Sequence, residues 1–269
     1  MLNYFFSYLS VDYSFLNVFK YITFRTGVAI FTSLGLVLIL GGPFISYLKS
    51  SNHFDQPIRN DGPISHIVKK AGTPTFGGVL IIFAAILSSV LWADMKNIYV
   101  LICLFSILSF SLIGFFDDYL KIKKENSKGI KATYKFLLQI IFSLMIVYLI
   151  NISTAEDIRD ILHLPFYKNL VLDLGTFYIF FGVVVIVGSS NAVNLTDGLD
   201  GLATVPVILV SLTFILITYL VGNVIFSDYL KLTYIKNTAE VCVVLGSIVG
   251  ASLGFLWFNA PPAKIFMGD

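Results

Sequence analysis

Two neighbouring carboxylates, Asp117 and Asp118, end an apolar run that begins near Ile98, and Lys121 opens a lysine-rich segment directly after them. If the run is helical, the pair sits at its C-terminus, where the helix dipole is already negative and acids are disfavoured. Burial adds to the cost, because adjacent like charges resist ionising together. Acids held against both preferences point to Mg²⁺ binding or to handling the proton of a phosphate. Solvated acids at the start of a loop are the competing reading of this segment alone. The pattern is not the DDxxD of soluble prenyl-diphosphate synthases, because position 121 is lysine.

Three other segments carry polar chemistry in unusual density. Asn191, Asn194, Asp197 and Asp200 fall within one short interruption between apolar runs. Asp197 and Asp200 are three apart, so a helical turn would make them neighbours; the pattern does not fit a calcium EF-hand. A helix cap explains Asp200 alone, but not the other three. In Lys69–Gly78, glycines and a proline beside paired lysines shape a backbone able to approach phosphate, with Lys70 as a point charge. A turn before a membrane span accounts for the same residues. In Asn259–Asp269, Pro261-Pro262 ends the preceding helix, and Asp269, after a glycine among apolar residues, is a candidate metal ligand. His53, His66 and His163 show no metal-ligand spacing, which argues against a histidine zinc site. Cys103 and Cys242 lie inside apolar runs and read as small core or lipid-facing residues.

The elements that must position these groups are membrane helices. The chain of 269 residues is 57% hydrophobic and 13% charged, with mean hydropathy +0.87, a composition of integral membrane proteins. Apolar runs at 26–48, 76–94, 98–116, 135–152, 175–192, 201–222 and 239–258 predict an all-α, polytopic membrane helical bundle of about seven transmembrane helices. No internal repeat or linker divides it, so 1–269 reads as a single membrane domain. Tyr4–Phe24 is rich in aromatics without a cleavable signal, and predicts an interfacial segment before the first span. Ser153–Leu174 predicts a loop with a short hairpin or helix lying on the membrane.

Seven crossings place the loops 49–75, 117–134 and 193–200, and the segment from Asn259, on one side. That side holds eleven of the 18 Lys and Arg residues, including the dense cluster Lys121–Lys135. The excess predicts a cytoplasmic location for it and an N-terminus outside. All four polar segments then converge on the cytoplasmic face. A net charge of +2 says little by itself about partners, and no nucleic-acid partner is expected.

KxGTPTxGG, FFDDYLK, NLTDGLDG and FNxxPAxxFMGD occur in this order between helices. Together they resemble the phospho-N-acetylmuramoyl-pentapeptide transferases of bacterial cell-wall synthesis, a branch of the polyprenyl-phosphate N-acetylhexosamine-1-phosphate transferases. The resemblance implies a bacterial inner-membrane enzyme with its active site on the cytoplasmic face. The implied reaction is Mg²⁺-dependent transfer of phospho-MurNAc-pentapeptide from UDP-MurNAc-pentapeptide to undecaprenyl phosphate, giving lipid I and UMP. It implies Asp269 as principal Mg²⁺ ligand, and Asp117 as base or orienter for the lipid phosphate with Asp118 beside it. Asn194, Asp197 and Asp200 would line the nucleotide and metal region. Lys70, Thr75, Lys121 and Asn259 are the implied substrate contacts; membrane lipids are expected neighbours, and a homodimer is left open.

The implied alternative on the same fold is a GlcNAc-1-phosphate transferase. A secondary transporter is disfavoured, because the acids gather at helix ends on one side rather than at the midplane. Family members continue beyond FMGD, so the chain is expected to lack the C-terminal part of the family domain and to anchor Asp269 poorly. An inactive remnant is the corresponding alternative.

Overall fold

The structure is a computed structural model and describes residues 1–50, 73–124, 129–164, 171–197 and 199–269. Lys69 and Lys70, with the start of their segment, lie outside the described residues. The long apolar runs are helices, as a segment in lipid must satisfy its own backbone. The order is α1 (Leu2–Leu9), a 3-10 turn (Ser14–Lys20), α2 (Ile22–Ser50), α3 (Gly77–Trp92), α4 (Ile98–Lys123) and α5 (Ala132–Ser153). A two-stranded antiparallel hairpin, β1 (Ile161–His163) and β2 (Val171–Asp173), follows, then α6 (Phe177–Thr196), α7 (Thr204–Val221), α8 (Val224–Leu230) and α9 (Val241–Asn259). Among the described residues six helices are long and apolar enough to cross a membrane. The seventh expected span, α3, has 16 residues, about 24 Å at 1.5 Å per residue.

Helix α9 is the centre, with 67% of its apolar window buried against 11–33% for the other spans. Its neighbours are α2, α3 and α7. Gly246, Gly250 and Gly254 recur every four residues and so share one face, which lies against Thr26, Ile30, Ser33, Leu34 and Val37 of α2. Lipid tails are as apolar as leucine, so close backbone approach through small residues drives this contact. Hydroxyls complete it: Ser88 donates to the Ala29 carbonyl at 2.9 Å, and Ser247 donates to the Ser88 Oγ at 3.2 Å. Outward faces carry large exposed apolar side chains such as Phe31, Ile39, Leu209 and Trp257, as lipid contact requires.

The two ends of the bundle are pinned differently. At one end Arg25, 4% exposed, forks onto the Glu240 carboxylate and donates to the Trp92 carbonyl at 3.3 Å. Asn97 joins the same end to the Asn237 carbonyl at 2.7 Å. The predicted interfacial aromatic segment is α1 and the 3-10 turn, whose Phe6 and Phe19 stack with Trp92. At the other end lie the C-termini of α2, α4, α6 and α9 and the N-termini of α3, α5 and α7.

Two boundaries differ from the sequence reading. The run expected at 98–116 continues as helix to Lys123, so Asp117 and Asp118 lie inside the helix and not at its end. Lys121 and Lys123 in the last turn offset the dipole and allow the extension. Likewise α6 runs to Thr196, with Asp197 as its C-cap, and α7 starts at Thr204 after Ala203. Asp197 and Asp200 therefore do not share a helical turn, and Asp200 caps neither helix.

Candidate functional site

Helix α4 places Asp117, Asp118 and Lys121 on one face through i, i+3 and i, i+4 spacing. Lys121 Nζ lies 2.7 Å from Asp117 Oδ2, 3.2 Å from Asp118 Oδ1 and 2.8 Å from Asp269 Oδ2. Asp117 and Asp118 are buried, at 3% and 5% exposure. Lys135, near the start of α5, closes the group at 2.7 Å from Asp269 Oδ2 and 3.6 Å from Asp117 Oδ2. One backbone donor serves each α4 acid: Ile130 N–H gives to Asp117 Oδ1 at 2.7 Å, and Asp269 N–H gives to Asp118 Oδ2 at 2.8 Å.

Asp269 arrives from the far end of the chain on a short paired segment. Phe266 N–H donates to the Pro74 carbonyl at 2.9 Å, Gly77 N–H to the Phe266 carbonyl at 2.9 Å, and Gly78 N–H to the Met267 carbonyl at 2.8 Å. Gly268 has φ +82°, and a Cβ there would strike Asp118. The segment is held on both sides, which corrects the expectation of a poorly anchored Asp269. Burial pushes the Asp269 carboxyl up, but hydrogen bonds from the Lys121 and Lys135 ammonium groups outweigh it and hold the group well below the usual carboxylate range.

One oxygen from each of Asp117, Asp118 and Asp269 can lie within 4.8 Å of the others. Three carboxylates against two ammonium groups leave a formal negative charge, and oxygen donors of this kind suit a hard divalent cation that keeps water or phosphate in its shell. The donor set fits Mg²⁺.

The other expected site residues divide by position. Asn194 and Asp197 line a cavity of about 530 Å³ between α4, α6 and α7 that reaches Asp269 and is walled by Ile107, Phe110 and Val207. Asp200 lines a different cavity, with Leu199, Val205 and Pro261, and accepts from Ala263 N–H at 3.2 Å. Asn259 is 2% exposed; its Oδ1 accepts from Gly201 N–H and Thr204 Oγ1, and its Nδ2 donates to the Ile265 carbonyl. It brackets the segment that carries Asp269. Thr75 is 3% exposed beside Gly268, and its hydroxyl has no hydrogen-bond partner among the described residues. The sequence reading counted Lys135 only as a topology lysine at a span edge, and gave Gln139 no role. The available signal was a Gln one helical turn from a Lys inside an apolar run, which is costly in lipid unless used.

Comparison with known proteins gives the same direction. Residues 98–269 match the glycosyl transferase family 4 model. A phospho-N-acetylmuramoyl-pentapeptide-transferase of Pelagibacter ubique (strain HTCC1062) is 54% identical over 259 residues, covering 96% of this chain and 71% of that protein. The transferase of the same name from Rickettsia prowazekii (strain Madrid E) is 53% identical over 253 residues, covering 94% and 70%. The one from Rickettsia felis (strain ATCC VR-1525 / URRWXCal2) is 55% identical, with the same coverage.

Proposed function

We propose that this chain, which belongs to glycosyl transferase family 4 and within it to the phospho-N-acetylmuramoyl-pentapeptide-transferase family, moves phospho-MurNAc-pentapeptide from its UDP carrier to undecaprenyl phosphate. The protein is a phosphoglycosyl transferase built as a multi-pass membrane bundle. In the proposed reaction the bond between the sugar-linked phosphorus and the bridging oxygen breaks. UMP leaves, and a diphosphate bond to the lipid phosphate forms, giving lipid I. The observation that carries this reading is the meeting of Asp117, Asp118 and Asp269 with Lys121 and Lys135 at one end of an apolar bundle.

Phosphoryl transfer asks little covalent chemistry of a protein; it asks for alignment and for charge compensation. Asp269, with Asp117 and Asp118, would hold Mg²⁺, which when bound offsets charge on the diphosphate. Asp117 orients the incoming lipid phosphate or takes its proton, with Asp118 beside it. Lys121 is already positioned among the acids to hold phosphate oxygens, with Lys70 and Thr75 as further contacts. Asn194 and Asp197, on the cavity wall beside Asp269, face the nucleotide, and Asp200 and Asn259 secure the surrounding segments. The lysine excess at this end supports a cytoplasmic active site in the bacterial inner membrane, where anionic headgroups and soluble nucleotide sugars both reach it.

The test is donor choice. Membranes containing the protein are given undecaprenyl phosphate and either labelled UDP-MurNAc-pentapeptide or labelled UDP-GlcNAc. Label entering lipid from the first donor supports the reading; label entering only from the second replaces it with a GlcNAc-1-phosphate transferase.

A further inference from the structure

Gln139 is 4% exposed, an amide buried within a membrane span. Its Oε1 accepts from Asn191 Nδ2 at 2.8 Å, and the same Nδ2 also donates to the Val187 carbonyl at 2.8 Å. The pair therefore ties α5 to the backbone of α6, one helical turn along α5 from Lys135. Lys135 precedes Gln139 by four residues, so both lie on one face of α5. They share a cavity of about 40 Å³ with Ser190, Asn194 and Asp269. A polar amide is expensive in lipid and marks function unless it is merely packing glue. Here the helix contact also borders the site, since Gln139 lines the same small cavity as Lys135 and Asp269, and its partner Asn191 belongs to the polar interruption that contains Asn194 and Asp197.

We propose that Gln139 is a positioning residue of the transferase site: clasped by Asn191, it fixes the face of α5 from which Lys135 reaches Asp269 and Asp117. The assignment rests on the transferase reading for its kinetic consequence but not for its geometry. Without the clasp, α5 keeps its apolar packing but loses the polar restraint on this face, and the Lys135 ammonium is held less firmly against the carboxylates. Lys135 in turn holds Asp269 at 2.7 Å, so the loss passes to the acid that the reaction depends on. Gln139 itself touches no reacting group in this scheme.

The test combines labelling with kinetics. Intact protein in membranes, without substrate, is treated with an amine-acylating reagent, and modification of Lys135 is read by peptide mass spectrometry against exposed Lys131. Gln139→Met, which keeps side-chain length but removes the amide, raises Lys135 modification several-fold; Asn191→Leu does the same from the other helix. If Gln139→Met fails to fold, seen as thiol labelling of buried Cys242, Asn191→Leu decides. Turnover is then compared in Gln139→Met, Lys135→Met and the double variant. The expected result is a fall in kcat of about tenfold with little change in KM for the nucleotide sugar, and no further loss in the double variant. Unchanged Lys135 modification in both single variants overturns the proposal, as does an equal cost of Gln139→Met with and without Lys135. A parent protein inactive toward UDP-MurNAc-pentapeptide would contradict the transferase reading alone, and the labelling result would still stand.

Discussion

Asp117, Asp118 and Asp269 are held together by cations of the protein's own, and this decides how the site behaves. Each ammonium offsets acid repulsion that would otherwise favour protonation. In the proposed reaction Asp117, Asp118 and Asp269 would hold a divalent cation, which would supply the same charge compensation and leave Lys121 and Lys135 available to phosphate oxygens. The expected consequence is a single binding site for Mn²⁺ as a spectroscopic substitute for Mg²⁺. Electron paramagnetic resonance titration of the protein should count about one tight ion, and Asp269→Asn should weaken it by an order of magnitude or more. Unchanged Mn²⁺ affinity in Asp269→Asn would remove that residue from the ligand set. At this scale the sequence was informative about the acids, because paired carboxylates beside an apolar run are rare. It was silent on the backbone donors Ile130 N–H and Asp269 N–H, which carry no side-chain signature.

The central element is α9, and its packing rests on three glycines that a hydropathy reading treats as ordinary apolar positions. A Cβ at Gly250 would collide with the Ile30 carbonyl and Ser33, whereas Gly42 on α2 has open space around it. Gly250→Ala should therefore destabilise the bundle by about 1–3 kcal/mol, while Gly42→Ala should be neutral or gain roughly 0.5–1 kcal/mol from helix propensity. Thermal unfolding in detergent measures both; equal midpoints for the two variants would show that α2 and α9 do not pack this closely. The helix boundaries were legible only approximately. Hydropathy stops at Phe116 and Ala192, but Lys121 and Lys123 neutralise the end of α4, so the backbone stays helical where the side chains turn polar. That extension puts the two acids in the bundle wall instead of in a loop.

The molecule as a whole has two unlike ends: an aromatic and Arg25–Glu240 end, and the acid–lysine end that α3, α4, α5 and the Phe266–Asp269 segment build together. Loop parity predicts this convergence, since alternate connections of a multi-pass chain share a side. The pairing of Pro74–Gly78 with Phe266–Met267 was not predictable, because it joins segments far apart in sequence through main-chain bonds. The orientation is checked by cysteine accessibility in intact spheroplasts. A cysteine at Lys264 should be shielded from an impermeant maleimide and one at Lys231 should react; the reverse pattern would invert the topology. The measurement that reaches the account most directly is lipid-linked product formation from labelled UDP-MurNAc-pentapeptide and undecaprenyl phosphate, with and without Mg²⁺, in the parent and in Asp117→Asn, Asp118→Asn and Asp269→Asn. The account predicts Mg²⁺-dependent label in the lipid and release of UMP, with each substitution lowering turnover by about 100-fold or more. Transfer at the parent rate in all three variants, or transfer indifferent to Mg²⁺, would contradict it.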